Sequence, residues 1–155
     1  MIEEGFKRIR EVEHALSTYN TQAHLYKLNE SKKAPLTSFD LTNALRESEV
    51  LFNETNGYFT PAIGSITKKM FHFGEAETFV PKSHELIKAA TTQLGFTIKA
   101  GVAKLAKGVT LDLGGMGKGY AVDQVRKLFS GKGLKEFMIG LSGDIYCRGK
   151  CKIAI

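Results

Sequence analysis

Gly114, Gly115, Gly117 and Gly119, with Lys118 among them, crowd into the run LDLGGMGKGYAVD at residues 111–123, and their types and spacing point to anion chemistry. A β-type run from Val109 to Leu113 feeds the glycines, and a helical pattern opens directly after them. Bare backbone N–H groups can converge at such a place, the helix dipole adds partial positive charge, and missing side chains allow close approach. Lys118 would add a full charge at a phosphate. The spacing is not that of a P-loop, whose Lys precedes Ser or Thr, because Lys118 precedes Gly119. Nor is it a dinucleotide fingerprint, since position 120 is Tyr and no βαβ start is present. Taken alone, the glycines fit a tight strand-to-helix turn as well as a phosphate cradle. Asp112 could likewise cap loop amides or meet a ligand, Tyr19 could be half-buried packing, and Asp123 reads as a solvated charge.

The elements that would position these residues follow from periodicity. Ile2, Phe6, Ile9, Val12 and Leu16 recur at helical spacing between charged residues, predicting an amphipathic helix over 2–16. A polar stretch with Leu25, Tyr26 and Leu28 as apolar anchors leads to a loop marked by Pro35. A second helix starts near Ser38 or Asp40, carries the stripe Leu41, Ala44, Leu45, Ser48, Leu51 and Phe52, and ends at Asn56-Gly57. The segment YFTPAIGSI reads as extended, the stretch from Lys68 to Pro81 has no period, and a short helix is expected from Ser83 to about Thr91. Strands are expected over 96–99, 102–105, 109–113, 136–139 and 145–155, and a helix over 118–129 stopped by Gly131-Lys132-Gly133. The run to Ile155 ends without a turn or polar cap, which reads as a truncation.

With 155 residues, 43% hydrophobic and 25% charged, the chain suits a single soluble domain over 1–155. No apolar run is long enough to span a bilayer, and the charged start MIEEGFKRIREVEHAL has no apolar signal region, placing the chain as given in the cytoplasm. The net charge of +6 comes from scattered lysines without a basic stripe, which argues against nucleic acid and agrees with an anionic ligand such as a pyrophosphate. Cys147 and Cys151, taken as one strand, would lie about 13 Å apart, too far to bond. His14, His24, His72 and His84 are isolated and receive no role.

The whole pattern Asp-Leu-Gly-Gly-x-x-Lys-Gly-Tyr-Ala-x-Asp, Asp112 to Asp123, resembles the signature of the FAD:protein FMN transferases, the ApbE-type flavin transferases. Further matches occur in family order: Ser17-Thr18-Tyr19, Leu28-Asn29, Thr55 to Pro61 (TNGYFTP) and Gly140 to Ile145 (GLSGDI). The resemblance implies an α+β, T-fold-like flavin transferase architecture, incomplete at both ends, with this chain as its N-terminal and central part. It implies FAD as substrate, Mg²⁺ as metal, and transfer of FMN through a phosphoester to a Thr or Ser of an acceptor protein. Asp112 and Lys118 would be FAD contacts, Gly115 would offer a backbone carbonyl to the metal, and Tyr19 with Tyr58, Phe59 and Thr60 would lie along the flavin or adenine. No residue is assigned as catalytic.

The chain departs from the family pattern in places. Thr60 stands where the family usually has Asp, and Ala23-His24 replaces Ser-Glu. Family members are about twice as long and are typically periplasmic or lipid-anchored. Their Ala-Asp-Ala-x-x-Thr segment, which supplies side-chain metal ligands, and their Met-Gly-Thr turn have no counterpart here. These departures predict weakened or lost transfer; the alternative is a non-catalytic flavin-binding module or an inert degenerate relative.

Overall fold

A computed structural model of the chain describes residues 1–68, 70–71, 80–89 and 93–152. Its elements run α1 (Ile2–Leu16), α2 (His24–Ser31), β1 (Lys33–Pro35), α3 (Phe39–Glu54), a 3₁₀ turn (Pro61–Ile63), α4 (Gly64–Thr67), α5 (Ser83–Ala89), β2 (Phe96–Lys99), β3 (Val102–Leu105), α6 (Gly114–Gly131), β4 (Phe137–Leu141) and β5 (Asp144–Arg148). The chain divides into two units, one of Met1–His14 with Gly114 onward, the other of Ala15–Leu113. Among the described residues, no helix is long and apolar enough to cross a membrane.

In the first unit α6 packs against the β4–β5 hairpin. Val122, Val125 and Phe129 recur at helical spacing and form a buried cluster with Ile139. Phe129 meets Phe137 edge to face at 5.4 Å between ring centroids. The hairpin pairs Phe137 with Arg148 and Leu141 with Asp144. Its turn, Ser142-Gly143, has positive φ at both residues, 49° and 102°, the conformation that matches strand twist. The helix stops as its glycines predict: Gly133, at φ 80°, donates its N–H to Ser130 and Leu134 donates to Phe129, satisfying two carbonyls of the last turn. The buried face of α1 differs from the expected stripe. Ile2 and Phe6 are exposed, and the line runs instead through Gly5, Ile9 and Val12. Gly5 is small for a reason, since a Cβ there would lie 2.9 Å from the Phe129 ring.

The same unit corrects the cysteine expectation: Cys147 and Cys151 form a disulfide with Cα atoms 6.2 Å apart. The expected strand over 145–155 ends at Arg148, and Gly149, at φ 87°, turns the chain back so that the four-residue spacing is no longer stretched. Residues 153–155 of that expected strand lie outside the described residues.

In the second unit three antiparallel strands run in the order β1-β3-β2. α3 starts where expected, with Ser38 Oγ accepting the Leu41 N–H at 3.3 Å. It ends on Asn56 at φ 51°, with Gly57 donating its N–H to Phe52. Leu41, Ala44 and Leu45 turn inward, and Leu25, Leu28, Leu111 and Leu113 are fully or almost fully buried. Four readings are revised here. The stretch 24–31 is helix α2, and β1 stands where a loop was read. Segment 61–67 is helical, because Thr60 Oγ1 accepts the Ala62 N–H while Pro61 occupies the first position of the 3₁₀ turn. Residues 109–113 join no strand ladder. The helix expected over 83–91 is present to Ala89; position 72 and the remainder of the unassigned 68–81 stretch fall largely outside the described residues.

Candidate functional site

The candidate residues divide between the units. Tyr19, Tyr58, Phe59, Thr60 and Asp112 belong to the second; Gly115 and Lys118 belong to the first.

In the second unit, Ser17 Oγ accepts the N–H groups of Tyr19 and Asn20, both at 3.1 Å, which fixes the turn that presents Tyr19. Lys68 Nζ lies 3.1 Å from the centroid of the Tyr19 ring, a cation over a π face. The neighbouring Thr67 donates its hydroxyl to Asp112 Oδ2 at 2.7 Å. Two consecutive residues at the end of α4 therefore hold Tyr19 and Asp112. Thr55 organises the next segment, its Oγ1 donating to Leu51 O and accepting the Phe59 N–H. Thr60 Oγ1 donates to the Gln93 carbonyl at 2.8 Å and accepts from the Ala62 N–H. Tyr58 is 96% exposed, so its ring takes no part in this packing. A cavity of about 350 Å³ lies at one end of the β2–β3 pair, lined by Gln93, Gly95, Phe96, Thr97, Lys104, Leu105 and Ala106; none of the candidates lines it.

In the first unit, the glycines lie inside α6 rather than in a loop before it, since the helix begins at Gly114. Glycine in a helix interior costs about 1 kcal/mol relative to alanine. Packing does not require it at Gly117 or Gly119, where no described atom lies within 4 Å of a built Cβ. The first turn of any α-helix leaves N–H groups without intrahelical partners, with the positive end of the dipole behind them. Lys118 Nζ, one turn into α6, donates to the Ser142 carbonyl at 3.3 Å, tying the N-terminal part of the helix to the β4–β5 turn. The GLSGDI motif and the glycine motif thus meet within one unit. The helix ladder uses one lone pair of a carbonyl such as that of Gly115, and a second remains for a cation. Asp123 is exposed and paired with Arg126, as its reading as a solvated charge expects.

Sequence reasoning missed Thr67 and Lys68, and in the GLSGDI motif it did not foresee the Ser142 carbonyl as the Lys118 partner. A one-turn helix shows no period, and a backbone carbonyl has no residue type. The signal that was present, a capping Thr directly before Pro61, marks a helical start. Among the described residues no group of three His, Cys, Asp or Glu side chains could hold a metal ion.

A family model described as the ApbE family matches residues 2–155. A FAD:protein FMN transferase of Treponema pallidum is 30% identical over 161 aligned residues, which span 96% of this chain and 44% of the relative. Among solved structures, the flavin transferase ApbE of Vibrio cholerae is 26% identical with a TM-score of 0.81, covering 95% of this chain and 50% of that one. The flavinyl transferase ApbE of Pseudomonas stutzeri, at 17% identity, shares the fold with a TM-score of 0.82 over 96% and 49%. The chain spans about half the length of the relatives it matches.

Proposed function

Because the chain belongs to the ApbE family, we propose that it is the FAD-binding part of a FAD:protein FMN transferase. The observation that carries the reading is the start of α6. Glycines open to approach at a helix start and the Lys118 ammonium, held by the Ser142 carbonyl, support a place for a pyrophosphate there. Asp112 meets the nucleotide, and Tyr19 with the segment Tyr58 to Thr60 lies along its ring systems. In the reaction, a Thr or Ser hydroxyl of an acceptor protein forms a bond to the FMN phosphorus, AMP departs with the bridging oxygen, and the hydroxyl proton passes to solvent or a base.

Mg²⁺ would neutralise charge on the pyrophosphate, with the Gly115 carbonyl as one oxygen ligand. With Thr60 where the family pattern has Asp, this chain alone is expected to turn over weakly. The same replacement leaves a second reading, a module that binds FAD without transferring FMN.

Titration of FAD with the chain, followed by flavin fluorescence, tests the binding. Quenching at tens of micromolar or below is expected, and its absence sinks the reading. Incubation with FAD, Mg²⁺ and a Thr-containing acceptor peptide, read as covalent flavin fluorescence in a gel, separates transferase from binding module.

A further inference from the structure

Thr67 lies outside every sequence motif described above, yet its hydroxyl reaches Asp112 Oδ2 at 2.7 Å in a partly buried setting. A Thr inside a helix commonly turns its hydroxyl to the carbonyl one turn back. Here the proton goes to a carboxylate, and such charge-assisted bonds are short and among the stronger hydrogen bonds. The surrounding frame fixes both partners. The Asp112 N–H donates to the Pro61 carbonyl at 2.8 Å, and the Thr110 N–H donates to Ser65 Oγ at 3.0 Å. Between them, a Cβ built on Gly64 would lie 2.6 Å from the Thr110 carbonyl oxygen and 2.8 Å from the Leu111 carbonyl carbon. The α4 backbone therefore seats directly on residues 110–111, and only glycine allows it. With helix and segment locked in register, the Thr67 hydroxyl restricts the Asp112 side chain through its bond to Oδ2.

We infer that Thr67 is a positioning residue, setting the rotamer with which the Asp112 carboxylate meets the nucleotide. The inference rests on the reading of Asp112 as a FAD contact.

The test is a double-mutant cycle read as FAD affinity on the full chain, using wild type, Thr67→Val, Thr67→Ser, Asp112→Ala and the Thr67→Val/Asp112→Ala pair, with a thermal melt of each. Thr67→Val is expected to weaken FAD binding about tenfold, the scale typical of residues that orient a ligand-contacting group. Thr67→Ser restores it. In the Asp112→Ala background Thr67→Val adds no further loss, because the hydroxyl acts through the carboxylate. Unchanged affinity of Thr67→Val, or the same loss in both backgrounds, overturns the inference while leaving FAD binding intact. A wild-type chain that does not quench FAD removes the role of Asp112 and this inference with it.

Discussion

The side chain of Asn29 meets both backbone groups of Leu111: Nδ2 donates to the Leu111 carbonyl and Oδ1 accepts the Leu111 N–H, each at 2.8 Å. Both residues are buried, at 6% and 0% exposure, so water cannot replace either bond. A residue of α2 thus does for residues 109–113 what a neighbouring strand would do, and it holds the backbone immediately before Asp112.

Asn29→Ala should therefore cost about 2 to 4 kcal/mol, because it strands a buried donor and a buried acceptor together. Asn29→Asp keeps the shape but sets a carboxylate oxygen against the Leu111 carbonyl, and should lose a similar amount. Urea titration of the three proteins checks this. A midpoint for Asn29→Ala within error of wild type would show that the pair contributes nothing.

At Thr60 the family carboxylate is replaced by a group that both donates and accepts. An Asp could still accept the Ala62 N–H, but it cannot donate to the Gln93 carbonyl and would repel it. Thr60→Asp is expected to destabilise by about 1 to 2 kcal/mol, and Thr60→Ser to be close to neutral. A Thr60→Asp protein that melts at or above the wild-type temperature contradicts this account of why Thr stands here.

These two cases show what the sequence could and could not display. α1, α3 and α6 are long enough for their apolar period to emerge, and Ser38, Asn56 and Gly133 mark ends that the structure places within a few residues. α2 and α4 are too short to show a period, so tertiary contacts decide them. Residues 109–113 have strand composition, but their backbone meets the side chains of Lys32, Ser65 and Asn29 and the Pro61 carbonyl rather than a neighbouring strand. The motif residues of the candidate site were legible by type. The groups that fix them, the Thr67 hydroxyl and the Ser142 carbonyl, were not, because a common residue and a main-chain oxygen leave no pattern.

The disulfide closes a short loop, four residues apart in sequence. Chain-entropy reasoning gives such a loop about 2 kcal/mol or less. Reduction, or Cys147→Ser with Cys151→Ser, should lower the melting temperature modestly without unfolding the chain. Intact-mass measurement after alkylation without reductant should find both thiols protected; two alkylated cysteines would contradict the bond.

Glu4 accepts a hydrogen bond from Lys132 and pairs with the amino terminus, which holds its carboxyl below the ordinary value of 4.5. A depressed folded-state value means that the contribution is complete above the unfolded value and is lost as pH falls through the folded one. Stability should thus decline in acid partly through this group, and Glu4→Gln should flatten that part of the profile. The pairing is exposed, so raising salt should weaken it. An acid limb identical in wild type and Glu4→Gln, at low salt, would remove the pairing from the account.

Gly117 and Gly119 offer the sharpest separation of folding from function. Each sits within α6 with no described atom within 4 Å of a built Cβ, so alanine fits without displacing protein. Helix propensity then predicts that Gly117→Ala and Gly119→Ala each stabilise by about 0.5 to 1 kcal/mol. Natural chains retain such costly glycines where a ligand needs the backbone bare, since a methyl group beside the first-turn N–H groups obstructs a phosphate. The two variants should therefore melt higher and bind FAD more weakly. Gly131→Ala serves as the control: it lies in the same helix, equally open, but at the end remote from the anion corner, and should gain stability with unchanged affinity. Higher melting with wild-type FAD affinity at residues 117 and 119 would mean that those glycines do not serve the phosphates, leaving Lys118 to carry the electrostatic part of the site.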